Sequence, residues 1–328
     1  MALCHDITKI VPGQEKVRAF KRGHVVSQSD IPLLEDLGKE HIYVWEDSEN
    51  LVHEDEAALR LAKAACGEGL IWSEPNQGKV GIKAAYSGLL EIKKEGLHKI
   101  NEIEGIVLAS LHSGRVVLEG TAVAGTRVIP LAIGRDLLES AERQCSDSAP
   151  LISVKPFYPL KIGIVTTGNE VYQGRIKDGF YSVLEQKIAP YQGALIRQVL
   201  VPDDPQVITS EIIKLKKDGA ELVFVTGGMS VDPDDVTPTG IRQTGAEVVF
   251  YGVPVLPGSM LMLAYLDDVP ICGIPGCVMF NGVTSMDLIL PYLFSRQRVS
   301  RSQVVALGHG GLCQECGVCN YPQCSFGK

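Results

Sequence analysis

The sequence predicts an α/β fold with a largely parallel sheet in its second half, and two observations support this. From residue 160 onward, apolar runs of strand length alternate with runs of helix length, which is the pattern of βαβ units. The runs at 160–165 and 221–225 are apolar nearly throughout, as expected of buried strands in a parallel sheet. Each is followed at once by a polar segment that contains glycine.

The elements of the second half follow from this alternation, and Thr237 followed by Pro238 gives the clearest helix start. A hydroxyl residue is a favourable helix cap, and proline costs little at the first helical position because that N–H has no helical partner. Strands are predicted at 160–166, 194–201, 221–226, 247–251, 260–265 and 270–274. Helices are predicted at 182–191, 205–217, from 237 onward, and at 278–294.

The first half is predicted to be a mixed α+β domain over residues 1–150, and a break near 75 would divide it into two subdomains. A length of 328 residues fits about two domains. Residues 146–159, with three prolines, are predicted as a linker. Strands are predicted at 7–11, 23–27, 41–45, 80–84, 89–93, 106–110, 116–119 and 126–133, and helices at 31–37, 54–65 and 137–143.

Composition and charge restrict the classes of partner. The formal net charge is −8, which argues against nucleic acid, because binding a phosphate backbone requires a basic face. No apolar run is long enough to span a membrane, and residues 1–10 lack the apolar core of a signal peptide. A cytoplasmic protein that does not bind membranes is therefore expected, and a homo-oligomer is the expected assembly.

The polar segments at 166–171 and 226–235 indicate a ligand site. In open α/β sheets, ligands bind at the carboxyl ends of strands, where the strand order reverses. Gly227 and Gly228 would let the backbone approach a ligand, and the following helix start would favour a phosphate. Ser230 would add a hydroxyl group.

The second of these segments also carries Asp232, Asp234 and Asp235, which would repel a phosphate. A bridging Mg²⁺ ion is the usual resolution, with Glu170 and Asp178 as further acids. The alternative interpretation is a turn whose acids cap the helix.

Five motifs in order give a specific resemblance: residues 167–171, 174–178, 227–231 with Asp235, 257–258 and 273–276. Together they resemble the molybdopterin-binding domain shared by the MoeA/gephyrin and MogA families of molybdenum-cofactor biosynthesis. The resemblance implies a three-layer, MogA-like domain over 158–300 that cradles a phosphorylated pterin. It places Asp235 on an acid implicated in adding molybdenum to the dithiolene, and Glu170 and Asp178 on acids lining the pocket. The implied ligand-binding positions are Thr167, Gly168, Asn169, Thr226, Gly227, Gly228, Met229, Ser230, Pro275 and Gly276.

Several positions depart from the MoeA pattern. Asn169 replaces an aspartate, Ser259 a lysine and Cys277 an asparagine, and Gly179 and Phe180 replace a small hydroxyl residue and an asparagine. A serine-aspartate-glycine motif is missing from residues 1–157.

Three functions stay open in view of these departures. The first is a molybdotransferase that uses Mg²⁺ and Asp235. The second is a carrier or maturation factor that delivers the pterin to a molybdoenzyme apoprotein. The third is a sensor of a phosphate-bearing ligand.

Four of the nine cysteines form a terminal C-x₂-C-x₂-C-x₄-C run: Cys313, Cys316, Cys319 and Cys324. Thiolates at this spacing can bind tetrahedral zinc or an iron–sulfur cluster, so residues 308–328 are predicted as a metal-binding tail. The alternative is a disordered reactive tail without metal.

Cys277 also has two interpretations. At a helix start its thiol would have a lowered pKa and be reactive. The alternative is a buried packing residue.

Overall fold

The computed structural model describes residues 2–9, 17–44 and 49–328. The chain divides into two compact units. The first comprises Met1–Tyr86, Leu90–Ser113 and Val117–Val154, and the second Ser87–Leu89, Gly114–Val116 and Lys155–Lys328. No helix in the described ranges has the length and apolar character needed to cross a lipid bilayer.

Strands and helices in the described part of the chain alternate most regularly after residue 160. The strands are β1 (Ile7–Lys9), β2 (Val17–Phe20), β3 (Leu51–His53), β4 (Leu70–Trp72), β5 (Lys79–Ala84), β6 (Gly88–Ile92), β7 (Ile106–Ser110), β8 (Val116–Val117), β9 (Ala122–Val128), β10 (Ala132–Gly134), β11 (Ile152–Pro156), β12 (Lys161–Thr167), β13 (Ala194–Val201), β14 (Leu222–Thr226), β15 (Glu247–Tyr251), β16 (Met262–Leu266) and β17 (Val269–Ile274). The α-helices are α1 (Ile31–Asp36), α2 (Glu54–Ala65), α3 (Lys94–Asn101), α4 (Arg135–Asp147), α5 (Asn169–Tyr172), α6 (Phe180–Ile188), α7 (Pro205–Lys217), α8 (Thr237–Gln243), α9 (Ser285–Phe294) and α10 (Arg301–Ala306). Short 3-10 helices span Gln28–Asp30, Ala189–Tyr191 and Gly276–Met279.

The second unit is built on a six-stranded sheet in the order β13-β12-β14-β17-β16-β15. Strand β12 runs parallel to both β13 and β14, and β14 runs parallel to β17. Strand β16 is antiparallel to both of its neighbours. The predicted largely parallel sheet is therefore confirmed. Strand β13 follows β12 in the chain and lies on one side of it, whereas the next strand, β14, lies on the other side of β12. The strand order therefore reverses between β12 and β14.

Both faces of this sheet are covered, which gives the three layers that the resemblance implied. Alternate residues of a strand point to opposite faces. Ile164 and Phe224 belong to a core with residues of α6 and α9 on one face. Val165 and Val223 belong to a second core with residues of α7 and α8 on the other face. The near-continuous apolar character of β12 and β14 follows from this double burial.

The first unit contains a four-stranded antiparallel sheet in the order β4-β5-β9-β7. Helix α2 packs against β5, β9 and helix α4. Its buried face is rich in alanine (Ala57, Ala58, Ala62 and Ala65), which allows close approach to the sheet. The predicted helix at 54–65 is confirmed. Smaller sheets pair β1 with β2 and β3 with β10, and a three-stranded sheet has the order β11-β6-β8.

Several predictions in the first half were wrong. The predicted linker contains strand β11, with Ile152 and Val154 fully buried, although the boundary between the two units, after Val154, does fall within it. Instead of strands at 23–27 and 41–45, the structure has isolated bridges at Val25 and Val44. The predicted strand at 126–133 is two strands, and Pro130 lies in the gap between them. Residues 10, 11 and 45 of the predicted strands lie outside the described residues.

The predicted helix at 278–294 was also wrong in its first part, because α9 begins only at Ser285. The chain forms the 3-10 helix Gly276–Met279 and then starts again at a capping box formed by Thr284 and Asp287. The Thr284 hydroxyl accepts from the Met286 N–H at 3.3 Å, and the Thr284 N–H donates to Asp287 at 2.7 Å. A hydroxyl residue three positions before an acid is a known start signal.

We expect Thr284→Ala to lower the free energy of unfolding by about 1–2 kcal/mol, because the buried start of α9 loses its cap. Denaturant unfolding of the purified chain measures this. Thr239→Ala, at an exposed position of α8, is the matched control and should change stability by less than about 0.5 kcal/mol. Equal effects of the two substitutions would contradict a capping role for Thr284.

Candidate functional site

The two polar loops predicted from the sequence meet at the carboxyl ends of β12 and β14. Gly227 has a φ of +87°, and a Cβ atom at this position would lie 2.3 Å from the Thr167 carbonyl oxygen. Gly228 has a φ of +52°, and its Cβ would lie 3.0 Å from Thr237 Oγ1. The loops therefore touch, and residue 227 must be glycine both for its conformation and for this close approach.

Buried hydroxyl groups fasten the two loops together. The Thr237 hydroxyl donates to the Gly227 carbonyl at 2.8 Å and lies 3.3 Å from Thr167 Oγ1. The prediction that Thr237 caps its helix was wrong, because Val236 is the cap of α8. Helix α8 has only seven residues, so Thr237 contributes to the site by holding the loop and not by starting a long helix.

A second row of polar groups crosses three strands beneath the loops. The Thr226 hydroxyl donates to Thr166 Oγ1 at 3.1 Å. The Gln198 amide donates to the same Thr166 oxygen at 2.9 Å and to Asp178 Oδ2 at 2.7 Å. This chain links β14, β12 and β13 to Asp178. Gln198 was missed by the sequence reasoning, and the available signal was a neutral polar residue in a strand whose other residues, apart from Arg197, are apolar.

Asp178 lies beside the site, and its carboxylate is engaged by the protein itself. Besides the Gln198 contact, Asp178 Oδ1 accepts from the Phe180 N–H at 3.0 Å and Oδ2 from the Tyr181 N–H at 3.1 Å. These are the first N–H groups of α6. An acid at this position satisfies unpaired donors and complements the helix dipole, so the contacts give Asp178 a positioning role.

Asn169 and Glu170 begin the short helix α5 in the segment that follows β12, and both are exposed. The Asn169 N–H donates to Asp203 Oδ2 at 2.9 Å, and the Asp203 N–H donates to Asn169 Oδ1 at 3.4 Å. Asp203 belongs to the loop after β13, so this pair joins two loops of the same edge. Glu170 is exposed, and its carboxylate lies over Gly168, where a Cβ would be 2.9 Å from Oε1.

The acidic residues of the loop after β14 differ in their surroundings. Asp232 and Asp234 are exposed, whereas Asp235 is half-buried. The Asp232 N–H donates to Asp235 Oδ2 at 3.0 Å, and the Asp235 N–H donates to the Asp232 carbonyl at 2.9 Å. These reciprocal bonds close a turn and hold Asp235 in a defined position at the loop.

Tyr251, at the end of β15, also holds this loop. Its hydroxyl donates to the carbonyls of Met229 at 3.1 Å and Ser230 at 3.2 Å. Burial raises the pKa of Tyr251, and the negative charge of Asp235 raises it further, so the hydroxyl keeps the proton that it donates. The sequence reasoning missed Tyr251, whose signal was a lone tyrosine at the carboxyl end of a predicted strand.

The remaining predicted ligand positions contribute in different ways. The Met229 side chain is buried, and a Cβ atom at Gly273 would lie 2.7 Å from its sulfur. Met229 therefore packs in the core, and its backbone alone lies in the loop. Pro275 and Gly276 follow β17, the strand next to β14. Gly276 is exposed, with open space where a side chain would be.

Cys277 follows at the 3-10 helix Gly276–Met279. Burial raises the pKa of the Cys277 thiol, and Lys187 only partly opposes this. The thiol is half-buried, and the raised pKa does not favour an activated thiolate. The reason is that this four-residue 3-10 helix lacks the dipole of a long α-helix.

The predicted metal groups are not assembled as metal sites. Within residues 2–9, 17–44 and 49–328, no three His, Cys, Asp or Glu side chains converge as ligands of an ion would. This applies to the acids of the loop after β14 and to the four cysteines of the tail.

Comparison with known proteins assigns this half of the chain. Residues 163–295 match the family described as "Probable molybdopterin binding domain". This segment belongs to that family. The resemblance drawn from the five motifs is thereby confirmed for this domain. Residues 1–46 match a domain of unknown function.

Two curated relatives carry the name molybdopterin molybdenumtransferase. The one from Haemophilus influenzae is 26% identical over 177 residues, which are 50% of this chain and 43% of the relative. The one from Synechococcus elongatus is 25% identical over 154 residues, which are 44% and 38% of the two chains. The chain thus spans less than half the length of these relatives.

Among solved structures, the molybdopterin biosynthesis enzyme MoaB from Thermus is similar at 20% identity. The similarity covers 41% of this chain and 91% of that one, with a TM-score of 0.34. The fold assignment rests on the strand order described above and on the family match.

Proposed function

We propose that this protein binds molybdopterin at the edge where the β12 and β14 loops meet, and that it inserts molybdenum during cofactor biosynthesis. The names of the curated relatives support the transferase activity. The observation that supports the site most strongly is the contact of the two glycine-bearing loops at the reversal of strand order. This is where an open α/β sheet binds its ligand.

The backbone of these loops suits the phosphate of the pterin. Gly227 and Gly228 are partly accessible and lack side chains that would cover their peptide groups. Successive N–H groups in a turn with positive φ form a concave anion site. The threonine hydroxyls of the loops are engaged within the protein, so recognition of the phosphate falls to the backbone.

The acids of the same loop could bind a divalent cation together with the phosphate of the ligand. Mg²⁺ is commonly held by one or two carboxylates together with phosphate oxygens of the substrate. Asp235 is held in place by the turn, and Asp232 is exposed beside it. These two carboxylates would hold Mg²⁺ once a phosphate is bound, and the ion would offset the repulsion between acid and phosphate.

A carrier role is the second candidate, and the contacts of two family positions favour it. Asn169 is paired with Asp203 and carries no carboxylate, and both carboxylate oxygens of Asp178 accept hydrogen bonds within the protein, so neither position offers an unengaged carboxylate to a ligand. A carrier would hold the pterin without changing it and deliver it to a molybdoenzyme apoprotein.

The transferase and the carrier must both bind molybdopterin, so pterin binding by the full-length protein tests both candidates. We expect anaerobically purified protein, mixed with molybdopterin and passed through gel filtration, to retain about one pterin per chain, the stoichiometry of a single pocket. The measurement is the fluorescence of the oxidised pterin in the protein fraction. The same protein unfolded in denaturant is the control for adventitious retention. Failure of the folded protein to retain more pterin than this control would contradict the proposal.

A further inference from the structure

The cysteine-rich tail is folded onto the second unit. The Cys313 N–H donates to the Leu256 carbonyl at 2.8 Å, next to a bridge between Leu256 and Leu312. Phe326 is 4% exposed and belongs to the core that contains α9. The prediction of a disordered tail as the alternative to a metal site is therefore wrong. Burial of a phenylalanine side chain contributes about 1.5–3 kcal/mol, which anchors the end of the segment.

The two ends of the tail are also joined to each other. The Gly327 N–H donates to the Gly310 carbonyl at 3.0 Å. Gly310 has a φ of +91°, and a Cβ there would lie 2.5 Å from the Lys328 carbonyl oxygen. Residues 310–327 thus form a closed loop, and all four cysteines of the terminal run lie within it.

This closed loop brings the four thiols to one cavity. The cavity measures about 300 Å³, and Cys313, Cys316, Cys319 and Cys324 all contribute to its lining. Phe280 completes part of the wall from the segment after β17. None of the four thiols is in a disulfide. In the described residues the four thiols line this cavity without forming a ready ligand cluster, so metal binding would require the loop to rearrange.

Two of these cysteines lie at anchored parts of the loop, and the other two lie at exposed parts. Cys313 and Cys324 are half-buried, next to the Leu256 bridge and Phe326 respectively. Cys316 and Cys319 are exposed on backbone without helix or strand. Metal binding would therefore require the two exposed cysteines to move toward the two anchored ones.

We propose that the four tail thiols bind a metal centre, either a zinc ion or an iron–sulfur cluster. Both take four thiolates, and the protons of the thiols are released to solvent on binding. The proposal is independent of pterin binding. It places a metal centre against the segment that contains Phe280, which directly follows the Pro275-Gly276 loop of the candidate site.

Metal analysis of the full-length protein tests this inference. The protein is purified anaerobically and supplied either with Zn²⁺ alone or with ferrous iron and sulfide. We expect either about one zinc per chain or iron and sulfide in equal amounts with visible thiolate-to-iron absorption. Alkylation of the native protein should then spare the four tail cysteines until a chelator is added.

Cys316→Ser and Cys319→Ser remove exposed thiols, so the fold should be kept, as circular dichroism can verify. Each should lower metal affinity by about tenfold or more, because even changes outside the ligand sphere cost about 10–100-fold. Cys66→Ser is the matched control and should keep the metal. Burial raises the pKa of Cys66 to about 12, so this thiol stays protonated. Absence of metal in both preparations, or full metal content in both serine variants, would overturn the proposal.

Discussion

Replacing Gly227 with alanine should abolish tight pterin binding and cost about 3 kcal/mol of stability. The φ of +87° accounts for about 1–2 kcal/mol of this, because an L-residue with a Cβ is strained there. The rest comes from a Cβ placed 2.3 Å from the Thr167 carbonyl oxygen, an overpacking that costs about 1–3 kcal/mol. Relief of the clash requires the two loops to separate, which would open the anion site. We expect pterin affinity, measured by retained fluorescence, to fall at least about tenfold, or about 1.4 kcal/mol.

Gly245→Ala is the matched control for this substitution. Gly245 has a similar φ of +82°, and no atom lies within 4 Å of the position its Cβ would occupy. The Gly245→Ala variant should therefore lose only the stability that backbone strain costs, about 1–2 kcal/mol, and should keep its pterin affinity. If both variants bound pterin like the wild type, the contact between the β12 and β14 loops would not form the binding site.

The fold of the second unit was predictable because its strands are covered on both faces. Burial on both sides makes residues 162–165 of β12 and 222–225 of β14 apolar. The predicted helix at 205–217 matches the observed bounds of α7. The predictions failed where burial, or a second helix start, overrode a local feature of the sequence. Pro150 and Pro156 suggested a linker, but Ile152 and Val154 are buried in strand β11. An apolar stretch suggested one long helix at 278–294, whereas Thr284 and Asp287 start a new one.

The candidate site was predictable in its backbone and less so in its side chains. Glycine after a buried strand marks a close approach whatever the partner is, so Gly227 and Gly228 could be found from the sequence. The residues that support the loops could not, because their partners are distant in sequence. Gln198 contacts Thr166 and Asp178, and Tyr251 contacts carbonyl oxygens of the loop after β14. Whether a polar residue supports a site or merely faces solvent depends on three-dimensional contacts that spacing does not encode.

Asp235→Asn should separate the two functions that remain open. Asparagine has the same size, and its carbonyl oxygen can still accept the Asp232 N–H that now binds Asp235 at 3.0 Å. The turn should therefore persist, and pterin affinity should change by less than about threefold, or about 0.7 kcal/mol. If the protein is a transferase, loss of the carboxylate charge removes a cation ligand, and molybdate- and Mg²⁺-dependent insertion should fall about 100-fold or more. That corresponds to about 2.7 kcal/mol of transition-state stabilisation.

The exposed neighbour provides the matched control, because Asp234→Asn removes the same charge from the same loop. Its effect on insertion should be within about threefold, since exposed charges are strongly screened. A wild-type protein that binds pterin but inserts no molybdenum would instead establish the carrier. Equal losses in both variants would mean that the total charge of the loop matters and would contradict a specific role for Asp235. The comparison is informative because Asp235 is half-buried and held by two reciprocal bonds, whereas the carboxylate of Asp234 is exposed.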